Sequence, residues 1–111
     1  MAYDEELADR IRALIGDEPG LKEKKIFGGM AFLIGGHMAV AASSQGGLLV
    51  RVDPEESDEL VKTTPAYLMK MRRKTMRGWL RVDSAHVSSD GDLARWVERG
   101  TTYARSLPAK G

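Results

Sequence analysis

Three pairs of adjacent glycines interrupt one apolar stretch, KEKKIFGGMAFLIGGHMAVAASSQGGLLVRV, and they constrain the fold more than any other feature of the chain. Glycine reaches positive φ without a Cβ clash, so a Gly-Gly pair between two apolar runs favours a tight chain reversal. Repeated along one stretch, such pairs predict a meander of antiparallel strands. Gly35-Gly36 separates MAFLI from HMAVAAS as a two-residue turn, and Gly46-Gly47 does the same before LLVRV. Gly28-Gly29 is read as a bulge within one long first strand, since a turn there would leave KEKKIF with only Ile26 and Phe27 to bury. None of the pairs precedes a helix or carries the lysine and hydroxyl of a phosphate loop.

Helices flank and interrupt this meander. Leu7, Ile11, Leu14 and Ile15 recur at helical spacing over residues 4 to 15, with Asp4, Glu5 and Glu6 in the first turn and Gly16 as the stop. Asp53-Pro54-Glu55-Glu56 supplies an N-cap, a proline at the first helical position and a carboxylate three residues after the cap, predicting a helix over 54 to 62. YLMKM and TMRGWLRV then form a second hairpin around Arg72-Arg73-Lys74. Leu93, Trp96, Val97, Gly100, Ala104 and Leu107 make one apolar stripe, so residues 91 to 107 form a helix ended by Pro108.

The expected order is α-β-β-β-α-β-β-α. A chain of 111 residues, 42% hydrophobic, has material for one core, and the expected domain spans residues 1 to 111 with its ordered part at about 4 to 107. The fold class is α+β: two layers, an antiparallel sheet of about five strands with helices on one face. The other face is then solvated or covered by a partner.

Composition excludes several chemistries. Without cysteine there is no disulfide, thiolate metal site or cysteine nucleophile, which suits a reducing cytoplasm. The acidic start of the chain lacks the apolar run of a secretory signal, and no segment reaches transmembrane length. His37 and His86 stand 49 positions apart with no metal-binding spacing, and read as strand-start or loop residues. Ser43 and Ser44 lack a nucleophile-elbow sequence and read as turn residues. Asp53, Glu55, Glu56, Asp58 and Glu59 lack the spacing of a calcium loop and read as the capped, solvated start of a helix. Met30, Met38, Met69, Met71 and Met76 fall in strands, where core packing is expected and a soft partner-binding patch is the alternative. Trp96, on the apolar stripe, is expected in the core. No catalytic residue, cofactor site or metal site is assigned.

Charge is nearly balanced overall, 17 basic against 16 acidic residues, but uneven along the chain. Lys70 to Arg81 holds six basic residues and no acidic one. In TMRGWLRV, strand alternation puts Arg77, Trp79 and Arg81 on one surface and Met76, Leu80 and Val82 on the other. Arg51 and Lys70 also oppose the apolar phase of their strands. If these strands are neighbours, Arg51, Lys70, Arg77, Trp79 and Arg81 form a basic-aromatic patch, extended at the turn by Arg72, Arg73 and Lys74. Such a patch serves as a partner or nucleic-acid surface, or is simply arginine stems covering an exposed indole.

The segments KKIFGGMAF, GGHMAV, LLVRVD, MRGWLRVD and LARWVERGTTYARSLPAK, taken in order, resemble the TfoX/Sxy N-terminal domain family, particularly its short single-domain actinobacterial members. The resemblance covers roughly residues 8 to 109. It implies a compact α+β fold in a family named for regulators of natural competence, which work with the cyclic-AMP receptor protein at competence promoters. Longer members carry a second, C-terminal domain that this sequence lacks. The family brings no catalytic or ligand-binding residue to these positions. The expected function is a small non-enzymatic regulatory or protein-interaction domain linked to competence and transcription, with direct nucleic-acid binding by the basic-aromatic face as the alternative. The expected partner is a protein, with the transcription machinery as one candidate. A homodimer formed through the sheet and nucleic acid are the others, and no membrane is involved.

Overall fold

A computed structural model describes residues 3–26 and 28–108. Helix α1 (Glu5–Ile15) leads into four strands, β1 (Leu21–Ile26), β2 (Gly29–Ile34), β3 (His37–Ala42) and β4 (Leu48–Arg51). Helix α2 (Pro54–Thr63), strands β5 (Tyr67–Met71) and β6 (Lys74–Val82), a single 3-10 turn (Ser84–His86) and helix α3 (Asp90–Ser106) complete the chain. All pairings are antiparallel, and the spatial order is β1-β2-β3-β4-β6-β5.

The α+β class and three helices are as the sequence predicts, but the sheet has six strands rather than about five. Ile26 pairs with Gly29 and Leu21 with Ile34, so the chain reverses between β1 and β2 and Gly28-Gly29 belongs to a hairpin, not to a bulge in one long strand. Phe27 lies outside the described residues. The physical reason is that β1 needs little to bury: it is the sheet edge, and its four consecutive exposed residues, Lys22 to Lys25, shield that edge from other strands. On its helix-facing side Glu23 takes the Arg12 guanidinium in two hydrogen bonds, 2.7 and 2.6 Å, tying β1 to α1.

Each helix starts where a side chain satisfies an orphan amide. The Asp4 Oδ1 accepts from the Leu7 N–H at 3.1 Å, the Asp53 Oδ1 from Glu55 at 2.9 Å and the Ser89 Oγ from Asp92 at 3.1 Å. The acidic run from Asp53 therefore caps α2, as expected. All three helices lie on one face of the sheet, where Phe32, Val40, Leu48, Val50 and Leu80 meet Ile11, Leu93, Trp96 and Val97 in a single buried cluster. Phe32 is fully buried, and truncating such a ring costs about 3 to 5 kcal/mol.

Helix α3 sits unusually close to β3. A β-bulge at Ala39, between the pairs Phe32–Val40 and Leu33–Met38, pushes the Ala39 carbonyl toward Gly100, where an added Cβ would lie 2.3 Å from that oxygen. His37 opens β3, and its Nε2 donates to the Pro108 carbonyl at 2.6 Å, holding the chain after α3 against the sheet. His86 is exposed in the 3-10 turn.

Candidate interaction surface

Because the helices cover one face, everything that alternates away from the core lines the other. Antiparallel partners share a face, so the register itself assembles this surface. Leu33 stands beside Met38, Ala41 beside Leu49, Leu49 beside Arg81, and Arg51 beside Trp79. Ala31 and Ala41 are small enough to form a sunken floor, and the longer side chains around them enclose a groove of ≈ 700 Å³. Such a volume falls within the range of ligand-binding clefts.

Trp79 and Arg81 reach this groove by regular alternation, paired with Arg51 and Leu49 of β4, whereas Met76 reaches it by a local irregularity. On β5 the pair Leu68–Leu80 is followed by Met69–Met76, so Arg77, Gly78 and Trp79 lie between consecutive rungs of the ladder. Gly78 takes φ +87, with the Val52 N–H donating to its carbonyl at 2.8 Å. With no β5 residue opposite them, these three, an odd number, reverse the phase of the strand before them. Met76 joins Trp79 and Arg81 on the groove side, while Arg77 turns the opposite way, where its Nη2 donates to the Pro54 carbonyl at 3.1 Å and to Asp58 Oδ2 at 3.3 Å in α2. The expected common face of Arg77, Trp79 and Arg81 is corrected accordingly: Arg77 leaves it. An isolated glycine inside a strand pattern is the sequence signal for this, and Gly78 carried it.

Arg51, Lys70, Arg72, Trp79 and Arg81 do come together. The Arg51 guanidinium lies 5.1 Å from the Trp79 ring centroid and 5.6 Å from that of Tyr103 in α3, so it covers part of the indole and is itself held in place. The Arg81 Nη1 donates to the Ser43 Oγ at 2.9 Å. Lys70 and Arg72 line the end of the groove beside the β5–β6 turn, whereas Arg73 and Lys74 are exposed and outside the lining. That turn holds Arg72 at φ 52 and Arg73 at φ 73. Left-handed backbone costs a non-glycine residue roughly 1 to 2 kcal/mol, and a two-residue hairpin of this kind ordinarily carries Asn-Gly.

The methionines divide between the two faces. Met30 packs against the core, as expected, but Met38, Met69 and Met76 line the groove, which corrects their assignment to the interior. The described features of Met71 are confined to its backbone. Leu33 and Leu49 were also unassigned to this surface by sequence, although Leu49, out of phase with the core residues Leu48 and Val50, shows the alternation that places it there. Tyr67, 45% exposed at the edge of the sheet, donates to Asp83 Oδ1 at 3.1 Å, and partial burial followed by this hydrogen bond raises its phenol above the ordinary range.

Among the described residues no three His, Asp or Glu side chains converge to hold a metal ion, and no helix is long and apolar enough to cross a membrane. A family model for the TfoX N-terminal domain matches residues 13–104, from the last turn of α1 to the last turn of α3, and so takes in the whole groove. A search of curated proteins finds no match. With 13–104 of its 111 residues matched, the chain belongs to the TfoX N-terminal domain family.

Proposed function

We propose that this domain works without catalysis, as a regulatory interaction module whose working surface is the uncovered sheet face, in the control of transcription and competence with which its family is associated. One observation carries the reading: an apolar, methionine-rich floor lies open between cationic side chains on the face that no helix covers. Contiguous apolar surface is costly to leave in water, and on small soluble domains it marks a place of contact. The bulge at Gly78 supports the same reading, since it turns Met76 onto the face that Trp79 already occupies.

The test is made in the native host. Leu49→Glu places a charge in the groove floor, and Leu14→Glu places one on α1 at a leucine already 46% exposed. The transcript profile of the Leu49→Glu strain should match that of a deletion strain, and the Leu14→Glu profile should match the parent. A Leu49→Glu profile identical to the parent refutes the reading, as does a deletion that changes no transcript.

A second reading, single-stranded nucleic acid on the same face, is favoured by the convergence of Arg51, Trp79 and Arg81. It requires oligonucleotide binding at about 50 mM salt, where non-specific contacts are strongest. It also requires Trp79→Ala to weaken that binding by about 1 to 3 kcal/mol. No binding at that salt removes it.

A further inference from the structure

We propose that the groove receives an acidic amphipathic helix of a partner protein, its apolar stripe on Leu33, Met38, Leu49, Met69 and Met76 and its carboxylates at Arg51, Arg72 and Arg81. The inference rests on the interaction-module reading above and names the chemistry of the partner. Charge gives the sign: the described lining residues include Arg51, Lys70, Arg72 and Arg81 and no acidic side chain. Lys22 and Lys24 of β1, paired with Leu33 and Ala31, stand on the same face and extend the positive field toward the far edge.

The floor selects against nucleobases. Single-strand platforms stack successive bases on aromatic rings, but the described lining residues include one ring, and Arg51 already lies over it at 5.1 Å. Three methionines and several aliphatic side chains instead suit the flexible apolar contacts by which helices are held in grooves. Backbone chemistry selects helix over strand. The groove lies across the face of the sheet rather than along an edge, and the amides and carbonyls of β2, β3, β4 and β6 have a neighbouring strand on both sides. An extended segment would lay its own unpaired peptide groups on an apolar floor, while a helix arrives with them satisfied internally.

Length agrees as well. From β2 to β5 the sheet crosses four inter-strand spacings, about 19 Å, which a helix of about 13 residues spans. A second copy of this chain docked face to face is disfavoured by the same charges, since a two-fold axis through the groove would bring its cations against their own counterparts.

The experiment selects displayed random peptides of about 16 residues, long enough for this span, against the full chain. Selected peptides are resynthesised and titrated into protein carrying 13C-methyl methionine. The winners should be rich in Asp and Glu, with apolar residues at helical spacing. They should shift the Met38, Met69 and Met76 signals and leave Met30, packed against the core, in place. The double variant Arg72→Glu/Arg81→Glu should weaken them by about tenfold or more, and Arg81→Lys should retain binding. Basic or uncharged winners, shifts confined to other methionines, or equal affinity for the charge-reversed protein would overturn the proposal. So would tighter binding of oligothymidine, or a dimeric mass by light scattering that falls to monomer in the Leu49→Glu variant. If selected peptides fail these criteria while Leu49→Glu silences the transcript response, the occupant is wrong and the interaction surface stands. If both fail, both readings fall.

Discussion

Gly78→Ala tests the device that shapes the candidate surface. The backbone at Gly78 is at φ +87, where an L side chain costs about 1 to 2 kcal/mol. The added Cβ would also lie 2.9 Å from the Val52 carbonyl oxygen and 3.1 Å from the Pro54 ring, an overpacking worth about 1 to 3 kcal/mol. The two together predict a loss of about 2 to 5 kcal/mol, a large fraction of the roughly 5 to 15 kcal/mol that holds a small domain folded. With a urea slope of about 2 kcal/mol/M, the unfolding midpoint should fall by about 1 to 2.5 M at unchanged slope. Gly91→Ala is the matched control. It lies in the first turn of α3 with no atom within 4 Å of the new Cβ, and should stabilise by about 0.5 to 1 kcal/mol. Urea unfolding of both variants, followed by circular dichroism, decides the matter. A Gly78→Ala stability within about 0.5 kcal/mol of the parent would mean that the bulge does not depend on glycine, and the account of how Met76 and Arg77 are aimed would be wrong.

Gly100→Ala should destabilise by about 1 to 3 kcal/mol, read by thermal unfolding, because the new Cβ meets the Ala39 carbonyl at 2.3 Å. Arg77→Ala should cost under about 1 kcal/mol, since its pair with Asp58 is solvent-exposed, and should leave binding of the selected peptides unchanged in the same methyl titration. Glu23 is held below the ordinary carboxylate range, chiefly by the Arg12 hydrogen bonds and against some desolvation, so its contribution is complete above the unfolded value of about 4.3 and is lost as pH falls through the lower folded value. Glu23→Gln should therefore lower the melting temperature at pH 7 and shrink the difference between pH 7 and pH 3. The Glu18–Arg105 pair works in the same sense, and a second substitution, Glu18→Gln, should shrink that difference further.

The helices were legible because their signals are local. Caps, first-turn acids and the 3.6-residue stripe of Leu93, Trp96 and Val97 all lie within a few residues of the bonds they specify. The hairpin between β1 and β2 is not legible from what KEKKIF can bury, because an edge strand is held by its ladder and protected by charge. The patch was legible in part: Arg51, Trp79 and Arg81 alternate correctly and their strands are neighbours.

By itself, the sequence determined the class of fold, the three helices, the turn at Gly35-Gly36, a hairpin around Arg72-Arg73-Lys74, the family and the excess of cations around Trp79. Each of these depends on contacts between residues close in the chain or on composition. Only the tertiary structure decided that β4 lies against β6 rather than β5, that the register shift around Gly78 sends Arg77 to α2 and Met76 to the groove, and that three methionines face away from the core. Strand order and register are set by pairings between distant segments, and because side chains alternate with period two, a single inserted residue exchanges the faces of everything beyond it.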